Sequence, residues 1–241
     1  MNTEIKKYYN VINNKFSLSY LSTASTIKPL SLQKNIVISD IFKLPRVNNM
    51  LIKTQGNNLN IPFYLDSGII NWINYCLDFS KNVCNDLENR YVYLTIDNKK
   101  VLNGESQRED GWHLDGLQGD EVPVKLNNCF QFIYVTENPT EFCIQPFSYK
   151  NLNLSSHNIF KKLGQQVNNE NIYSINLNTT YLMNSYQLHR AIKSTKDTTR
   201  LFLRLYISHC PITSVLATIN PNINYPFKPH STKGKIPSHL T

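Results

Sequence analysis

The chain has 241 residues and a formal net charge of +8, with 25 Lys and Arg residues against 17 Asp and Glu residues. Hydrophobic residues make up 41% of the sequence, which is enough for a sizeable core. No apolar run approaches the roughly 20 residues that span a bilayer. These features exclude a helical membrane protein and predict one soluble domain over residues 1–241.

The N-terminal run Met1–Lys7 leads into polar residues, and the apolar stretch of a secretory signal is not found there. The five cysteines are an odd number without a C-x-x-C pair, which argues against a disulfide framework and a zinc site. We therefore expect a reducing, cytoplasmic location. The excess of basic residues could attract an anionic partner, but the lysines are scattered singly among asparagines and isoleucines, which favours codon bias over a nucleic-acid-binding face.

Residues 1–65 contain short β-prone runs, Phe16–Tyr20 and Asn35–Ser39 among them, separated by prolines and by a Gly-Asn-Asn turn signal. We expect this region to supply outer strands or a lid. Residues 66–90 differ, because their hydrophobic residues recur near helical spacing and Asp66 or Ser67 can cap the first turn. This segment is predicted to be a supporting helix.

From residue 91 onward, β-prone runs follow one another at short intervals, which is typical of a β-sandwich or barrel. Eight candidate strands can be placed, the number that a jelly roll needs. They are Tyr91–Ile96, Trp112–Asp115, Phe130–Thr136, Phe142–Phe147, Ile172–Leu177, Thr180–Asn184, Gln187–Ile192 and Arg200–Ser208. Residues 91–209 are thus predicted to form a β core, with an inserted helix over Ser155–Gly164 and a Pro-rich tail over residues 210–241 whose last dozen residues are mobile.

His113 and Asp115 are two residues apart in a predicted strand, so their side chains point the same way and can close on one metal ion. A third ligand must come from elsewhere. His189 is the best-placed candidate, with His157 and His209 next. Two histidines and one carboxylate on one face of an ion, with the opposite face open, are the ligands that hold non-haem Fe(II) for oxygen chemistry.

The run Thr199–Ile207 alternates arginine and aromatic residues on one face with leucine and isoleucine on the other. This pattern predicts a strand with one apolar side and one side that looks into a cavity. An inward-facing Arg200 or Arg204 can grip a carboxylate through a two-point fork. Arg108, just before the metal-binding run, is a candidate contact for an anionic substrate.

His113-x-Asp115, the distal His189 and an arginine beyond it resemble the Fe(II)/2-oxoglutarate-dependent dioxygenases over roughly residues 91–208. The resemblance implies a double-stranded β-helix of the jelly-roll or cupin type, with Fe(II) on the three ligands, 2-oxoglutarate as cosubstrate, and O2. Arg200 lies 11 residues past His189, a spacing similar to that in the phytanoyl-CoA hydroxylase branch, and it matches better than Arg204 at 15.

The resemblance also implies roles for neighbouring side chains. Arg200 would hold the distal carboxylate of 2-oxoglutarate, and Arg204 the cosubstrate's other end or an acidic substrate. Thr140, directly after the Asn-Pro turn, is a candidate for the same carboxylate. Gln131 and Tyr134 point to opposite faces of their strand, so only one of them can face the cosubstrate.

The resemblance implies a metal-binding oxidoreductase, a hydroxylase that converts 2-oxoglutarate to succinate and CO2, and a small molecule is its expected substrate. Because Asp115 keeps the carboxylate that halogenating members of the family lack, the resemblance implies hydroxylation. Oxidation of a nucleobase in a nucleic acid is less favoured, and its basis is the basic charge. A cupin-type isomerase or a cofactor-independent dioxygenase would not need Arg200, and a non-catalytic binding module would not need the metal ligands.

Overall fold

A computed structural model describes residues 2–32, 36–38, 40–108, 111–115, 129–150, 152, 159–212 and 217–225. Antiparallel strands predominate in these residues, with a few flanking helices, as predicted. The α-helices are α1 (Thr3–Asn13), α2 (Leu21–Ala24), α3 (Ser67–Ser80) and α4 (Ile159–Gly164). The strands are β1 (Leu30–Ser31), β2 (Val47–Lys53), β3 (Tyr91–Val101), β4 (Phe130–Val135), β5 (Thr140–Cys143), β6 (Ile172–Ser174), β7 (Tyr181–Asn184), β8 (His189–Ala191) and β9 (Thr198–Ser208). Among the described helices, none is long and apolar enough to cross a membrane.

The strands form two antiparallel sheets. The larger has the order β1-β7-β4-β9-β3-β2 and the smaller β6-β5-β8. The His113 backbone exchanges two hydrogen bonds with the His189 backbone in β8, at 2.9 and 3.0 Å. The run with His113 and Asp115 therefore lies along the outer edge of the small sheet, beside β8. The chain therefore passes back and forth between the sheets.

Two hydrophobic clusters lie on opposite faces of the large sheet. On the outer face, apolar side chains of the sheet pack against α1 and α3, and Trp72 of α3 is 1% exposed. The Trp72 indole donates a hydrogen bond of 3.0 Å to Thr180, which satisfies its buried N–H. On the inner face, Phe202 of β9 and Ile133 of β4 pack with Phe142 of the small sheet. The sheets thus enclose a second apolar layer beside the site.

The predicted helix at residues 66–90 is confirmed in its first part only. The Asp66 side chain accepts a hydrogen bond of 2.7 Å from the Gly68 backbone and caps α3, as the sequence indicated. The helix ends at Ser80, and a 3-10 turn follows at Leu87–Asn89. Val83 fits the helical spacing of the preceding apolar residues, but it lies in the turn after α3 and packs in the core from there.

The expectation of outer strands for residues 1–65 is wrong for the first segment, which is helix α1. Its buried residues Tyr8, Val11 and Ile12 recur at helical spacing, and Asn2 caps its first turn. Phe16–Tyr20 forms no strand, and it ends in a 3-10 turn. Residues 36–38 have no regular structure, while residues 35 and 39 lie outside the described residues.

Most predicted strands are present with changed ends. The first extends to Val101, whereas the predicted strand Phe142–Phe147 is moved to Thr140–Cys143. Trp112–Asp115 forms only the bridge at His113, because a single residue pairs with β8. The described part of helix α4 is Ile159–Gly164, and residues 155–158 of the predicted helix lie outside the described residues.

The first part of the predicted tail packs against β2. Thr218 and Asn48 exchange two hydrogen bonds, of 2.7 and 3.0 Å, through the Thr218 backbone N–H and hydroxyl. The Asn220 amide donates to the carbonyls of Leu51 and Asn60 and is fully buried. Residues 217–225 therefore form part of the packed structure, and residues 226–241 lie outside the described residues.

Candidate metal centre

His113, Asp115 and His189 meet at the edge of the small sheet. Their potential ligand atoms all lie within 4.8 Å of one another. Nε2 of His113 is 3.8 Å from Asp115 Oδ1, and Nε2 of His189 is 3.6 Å from Asp115 Oδ2. The backbone bridge between the two histidines fixes this arrangement, because it places their rings side by side with centroids 4.3 Å apart.

Hydrogen bonds to the backbone set the orientation of both imidazoles. Nδ1 of His113 is 3.2 Å from the Gly111 carbonyl, and Nδ1 of His189 is 2.9 Å from the Gln187 carbonyl. A carbonyl oxygen only accepts, so each Nδ1 carries the proton and donates it. Both Nε2 lone pairs are then free to bind a cation, which is the arrangement usual for metal-binding histidines.

The charges of the site favour the protonation states that a metal needs. Burial, reinforced by the nearby His113, lowers the pKa of His189 to about 4, so its imidazole is neutral at pH 7. Burial acts to raise the pKa of Asp115, but Arg204 and the two imidazoles outweigh it and hold that pKa well below its usual range. A neutral imidazole and an ionised carboxylate are the ligand forms.

Gln131 and Arg204 both contact the Asp115 carboxylate. The Gln131 amide donates a hydrogen bond of 2.6 Å to Asp115 Oδ2, and Arg204 Nη1 lies 3.2 Å from the same oxygen. Arg204 also donates a hydrogen bond of 2.8 Å to the side chain of Asn49. The network therefore positions the carboxylate through Oδ2 and leaves Oδ1 toward His113.

Asn49 reaches Arg204 from a β-bulge that the sequence did not predict. The pairing of β2 with β3 shifts between Val47 and Met50, and Asn49 has a φ of 44°. A bulge re-aims a side chain within a strand, and asparagine adopts positive φ more readily than most residues. Two consecutive asparagines inside a β-prone run are the one signal that could have indicated it.

Arg200 lines the same pocket as His113, Asp115 and His189, and its side chain is almost fully buried, with the residue 2% exposed. Its Nε donates hydrogen bonds of 2.7 and 2.9 Å to the carbonyls of Glu137 and Asn138, at the Asn-Pro turn before β5. Its Nη1 donates to Gln107, which the sequence did not single out, and its Nη2 to Thr140 at 3.3 Å. Two of its five N–H groups have no partner among the described residues, so they can bind an anion.

The metal pocket is narrow. Its lining includes the three ligands, Arg108, Arg200, Thr140 and Phe202. The cavity measures about 20 Å³, room for about one water molecule. A dicarboxylate therefore requires lining side chains to move before it can reach both the ligands and Arg200.

The structure does not bring every predicted side chain to this pocket. Tyr134 packs in the outer core of the large sheet, and its hydroxyl lies 3.2 Å from Asn178. Of the two residues considered on β4, Gln131 is therefore the one on the side of Asp115. His209 is 3.0 Å from Asp86 instead of the site, which removes it as a third ligand, and His157 lies outside the described residues.

The donor set fits a divalent first-row cation. Imidazole nitrogen and carboxylate oxygen are ligands that iron, zinc, nickel and manganese share. Two buried atoms beside Asp115, Gln131 Oε1 and Arg204 Nε, have no hydrogen-bond partner among the described residues. Such atoms are rare in native proteins unless a solvent molecule or ligand completes them.

No protein-family model matches the sequence, and no curated protein matches it. Two solved structures with weak similarity are both of EvdO2 from Micromonospora carbonacea var. aurantiaca. One is 12% identical with a TM-score of 0.41, and the alignment covers 56% of this chain but only 59% of EvdO2. The other, EvdO2 complexed with 2-oxoglutarate, is 10% identical with a TM-score of 0.41, covering 86% of this chain and 91% of EvdO2. Similarity at this level does not show a family.

Proposed function

We propose that the protein is an Fe(II)- and 2-oxoglutarate-dependent oxygenase that hydroxylates a small molecule. The observation that carries this proposal is the meeting of His113, Asp115 and His189 in one pocket with the buried Arg200. A metal isomerase or a cofactor-independent enzyme needs only the first part of this arrangement. A buried guanidinium with free N–H groups fits an enzyme that also binds a carboxylate.

The path of the chain supports a double-stranded β-helix within a single domain. From β3 to β9, the chain visits the large sheet, the edge of the small sheet at His113, the large sheet at β4, and the small sheet at β5 and β6. It then returns to the large sheet at β7, the small sheet at β8 and the large sheet at β9. Eight segments divided equally between two facing sheets, with only β5 and β6 consecutive in the same sheet, fit a jelly roll.

Each part of the pocket has a defined task in this proposal. His113, Asp115 and His189 would hold Fe(II), and Arg200 with Thr140 would bind the distal carboxylate of 2-oxoglutarate. When bound, Fe(II) with 2-oxoglutarate and O2 supplies the oxidising chemistry, which inserts one oxygen atom into a C–H bond of the substrate and places the other in succinate, with release of CO2. Phe202 and Ile133 line the pocket and exclude water.

The proposed substrate is a small molecule, and the proposed location is the cytoplasm. A concave pocket between two sheets suits a ligand of that size. None of the five cysteines, Cys76, Cys84, Cys129, Cys143 and Cys210, is in a disulfide among the described residues. Reduced cysteines fit a reducing compartment.

The test is an anaerobic titration of the Fe(II)-loaded protein with 2-oxoglutarate, followed by exposure to O2. We expect a visible charge-transfer absorption that saturates with 2-oxoglutarate, then succinate and CO2 in equal amounts. The same titration with Asp115→Ala is the control, because that variant lacks a ligand. Binding of metal without binding of 2-oxoglutarate would contradict the proposal and favour a metal isomerase. A tight, length-dependent affinity for single-stranded DNA or RNA would instead favour nucleobase oxidation.

A further inference from the structure

A second cavity adjoins the metal pocket, and Arg108 lines both. This flanking pocket lies between β2, β3 and the segment that contains Thr218, and it measures about 190 Å³. It is therefore much larger than the metal pocket and has room for a small molecule. Six of its eight described lining residues are polar or charged types, and the full set is Arg46, Val47, Asn48, Thr95, Ile96, Asp97, Arg108 and Thr218.

Arg108 is held at the boundary by stacking. Its guanidinium carbon lies 4.6 Å from the centroid of the Phe202 ring, which itself lines the metal pocket. Stacking on a ring face orients a guanidinium and leaves its N–H edge available for hydrogen bonds. Among the described residues, no carboxylate lies within ion-pair distance of the Arg108 guanidinium.

The other charges near the flanking pocket are already paired. Arg46 lies 3.0 Å from Asp97, and Arg204 lies 3.2 Å from Asp115. Among the described residues, Arg108 and Arg200 line the metal pocket and Arg204 pairs with Asp115, which is the one carboxylate of that lining. The charges of a divalent metal and a dianionic cosubstrate cancel each other. Their binding therefore leaves the net positive charge of the arginines around the pocket unchanged.

A partly buried positive excess is costly unless an anion accompanies it. The pKa of Arg108 reflects this cost, since burial and the charge of Arg204 lower it to about 10. Asp97 and Asp115 act in the opposite direction without forming an ion pair with Arg108. An acidic ligand in the flanking pocket would offset the excess, and the guanidinium fork suits a carboxylate or a phosphate.

We propose that Arg108 binds an acidic group of the substrate, a carboxylate or a phosphate, in the flanking pocket and so places the substrate beside His113 and Asp115. The inference rests on the proposed function for the reaction that follows, but not for the binding itself. It narrows the substrate class from any small molecule to a small acid.

The test uses the full chain loaded with Zn(II), a redox-inert metal, and saturating 2-oxoglutarate. The probes are inorganic phosphate and matched acid and amide pairs, namely acetate with acetamide, hexanoate with hexanamide, and benzoate with benzamide. Binding is measured by ligand-observed NMR. We expect at least one acidic probe to bind about tenfold more tightly than its amide, or phosphate to bind with a similar affinity, since a charged partner adds this much. Acids that bind no better than amides, without phosphate binding, would overturn the inference.

Arg108→Gln should abolish the preference for acids. The matched control is Arg190→Gln, because Arg190 is also stacked, 4.5 Å from the Trp112 ring centroid, but is paired with Glu141 at 2.7 Å. The control should keep the preference within about twofold. Arg108→Lys keeps the charge but loses the two-point fork, so it should bind acids about tenfold less tightly than wild type. Unchanged preference in Arg108→Gln, or in Arg108→Lys should Arg108→Gln fail to fold, would contradict the assignment.

Repeating the titration without metal and 2-oxoglutarate separates this inference from the proposed function. Preference for acids that depends on Arg108 in this experiment would support the site, even if 2-oxoglutarate failed to bind the metal-loaded protein. Binding of 2-oxoglutarate without any such preference, in either state, would leave the proposed function standing and overturn the role of Arg108.

Discussion

The two faces of β9 are both largely buried, and they are chemically opposite. Toward the helices the strand presents only aliphatic side chains, each 0% exposed: Leu201, Leu203, Leu205 and Ile207. Toward the small sheet it presents Arg200, Phe202, Arg204 and Tyr206, and Arg200 is 2% exposed. Burial alone therefore does not show which face of the strand serves stability and which serves function. A buried polar face carries a desolvation cost, and such local departures from an apolar interior are expected at functional sites.

The largest expected difference between the faces is in metal binding. His189→Ala removes a ligand from the inner side, and it should weaken Fe(II) affinity by more than about 100-fold, because loss of outer partners alone costs 10–100-fold. The metal-free variant should still unfold cooperatively, which would show that the lost affinity is not a loss of fold. Anaerobic titration with Fe(II) measures the first effect.

His209→Ala is the matched control for that experiment. His209 is a described histidine that pairs with Asp86 away from the site. Its variant should bind Fe(II) like wild type. Equal affinities for the wild type and His189→Ala would exclude His189 as a ligand.

On the outer face, Leu203→Ala should act on stability alone. The side chain is fully buried between the sheet and the helices, and its truncation should cost about 2–5 kcal/mol of unfolding free energy. Metal affinity of the remaining folded protein should match wild type. Urea unfolding and Fe(II) titration of the same preparation give both values, and a large loss of metal affinity would show that the two faces are coupled.

The inner face should also show its own pH dependence. The pKa of His189 is about 4 in the folded protein and 6.5 as its ordinary value, so the unfolded chain binds more protons between these limits. Stability of the metal-free protein should be complete above pH 6.5 and fall by on the order of 3 kcal/mol as pH drops toward 4. Urea unfolding at several pH values checks this, and His189→Asn should flatten the slope. An equal slope in the variant would assign the pH dependence to other groups.

The two arginines on the inner face should differ toward 2-oxoglutarate. The described hydrogen-bond partners of Arg200 are all neutral groups, whereas the charge of Arg204 is offset by the Asp115 carboxylate 3.2 Å away. Arg200→Gln should weaken 2-oxoglutarate binding by more than about tenfold, and Arg204→Gln by less. Calorimetric titration of the metal-loaded variants ranks them, and the reverse ranking would move the distal carboxylate to Arg204.

The sequence predicted those parts of the site that depend on short-range periodicity. His113 and Asp115 share a side because they are two residues apart, and Arg200 faces inward because β9 alternates regularly. Contacts between distant segments gave no such signal. Asn49 lies 155 residues from Arg204, and Gln107 lies 93 residues from Arg200, so only the folded sheets bring them together.

Secondary structure was predictable to a similar extent. The capped helix α3 and the long strand β9 have strong signals of their own. Helix α1 was not predicted. Its buried face contains only Tyr8, Val11 and Ile12 among many polar residues, so the helical periodicity is weak in the sequence. The run Trp112–Asp115 was predicted to be a strand, but it forms a single bridge at His113. A two-residue period in the sequence does not show how many residues pair with a neighbouring strand.

The smallest expected effect concerns the bulge at Asn49, which connects the outer edge of the sheet to the inner network. Asn49 holds Arg204 through a 2.8 Å hydrogen bond and has a φ of 44°. Asn49→Gly keeps that backbone conformation but removes the side chain, so it should leave stability nearly unchanged and weaken Fe(II) affinity by about tenfold at most, as loss of a supporting partner does. Asn49→Ala removes the same side chain and adds backbone strain of about 1 kcal/mol. Comparing the two by urea unfolding and Fe(II) titration separates the backbone from the hydrogen bond. Equal metal affinity in wild type and Asn49→Gly would show that Gln131 and Arg204 position Asp115 without help from the bulge.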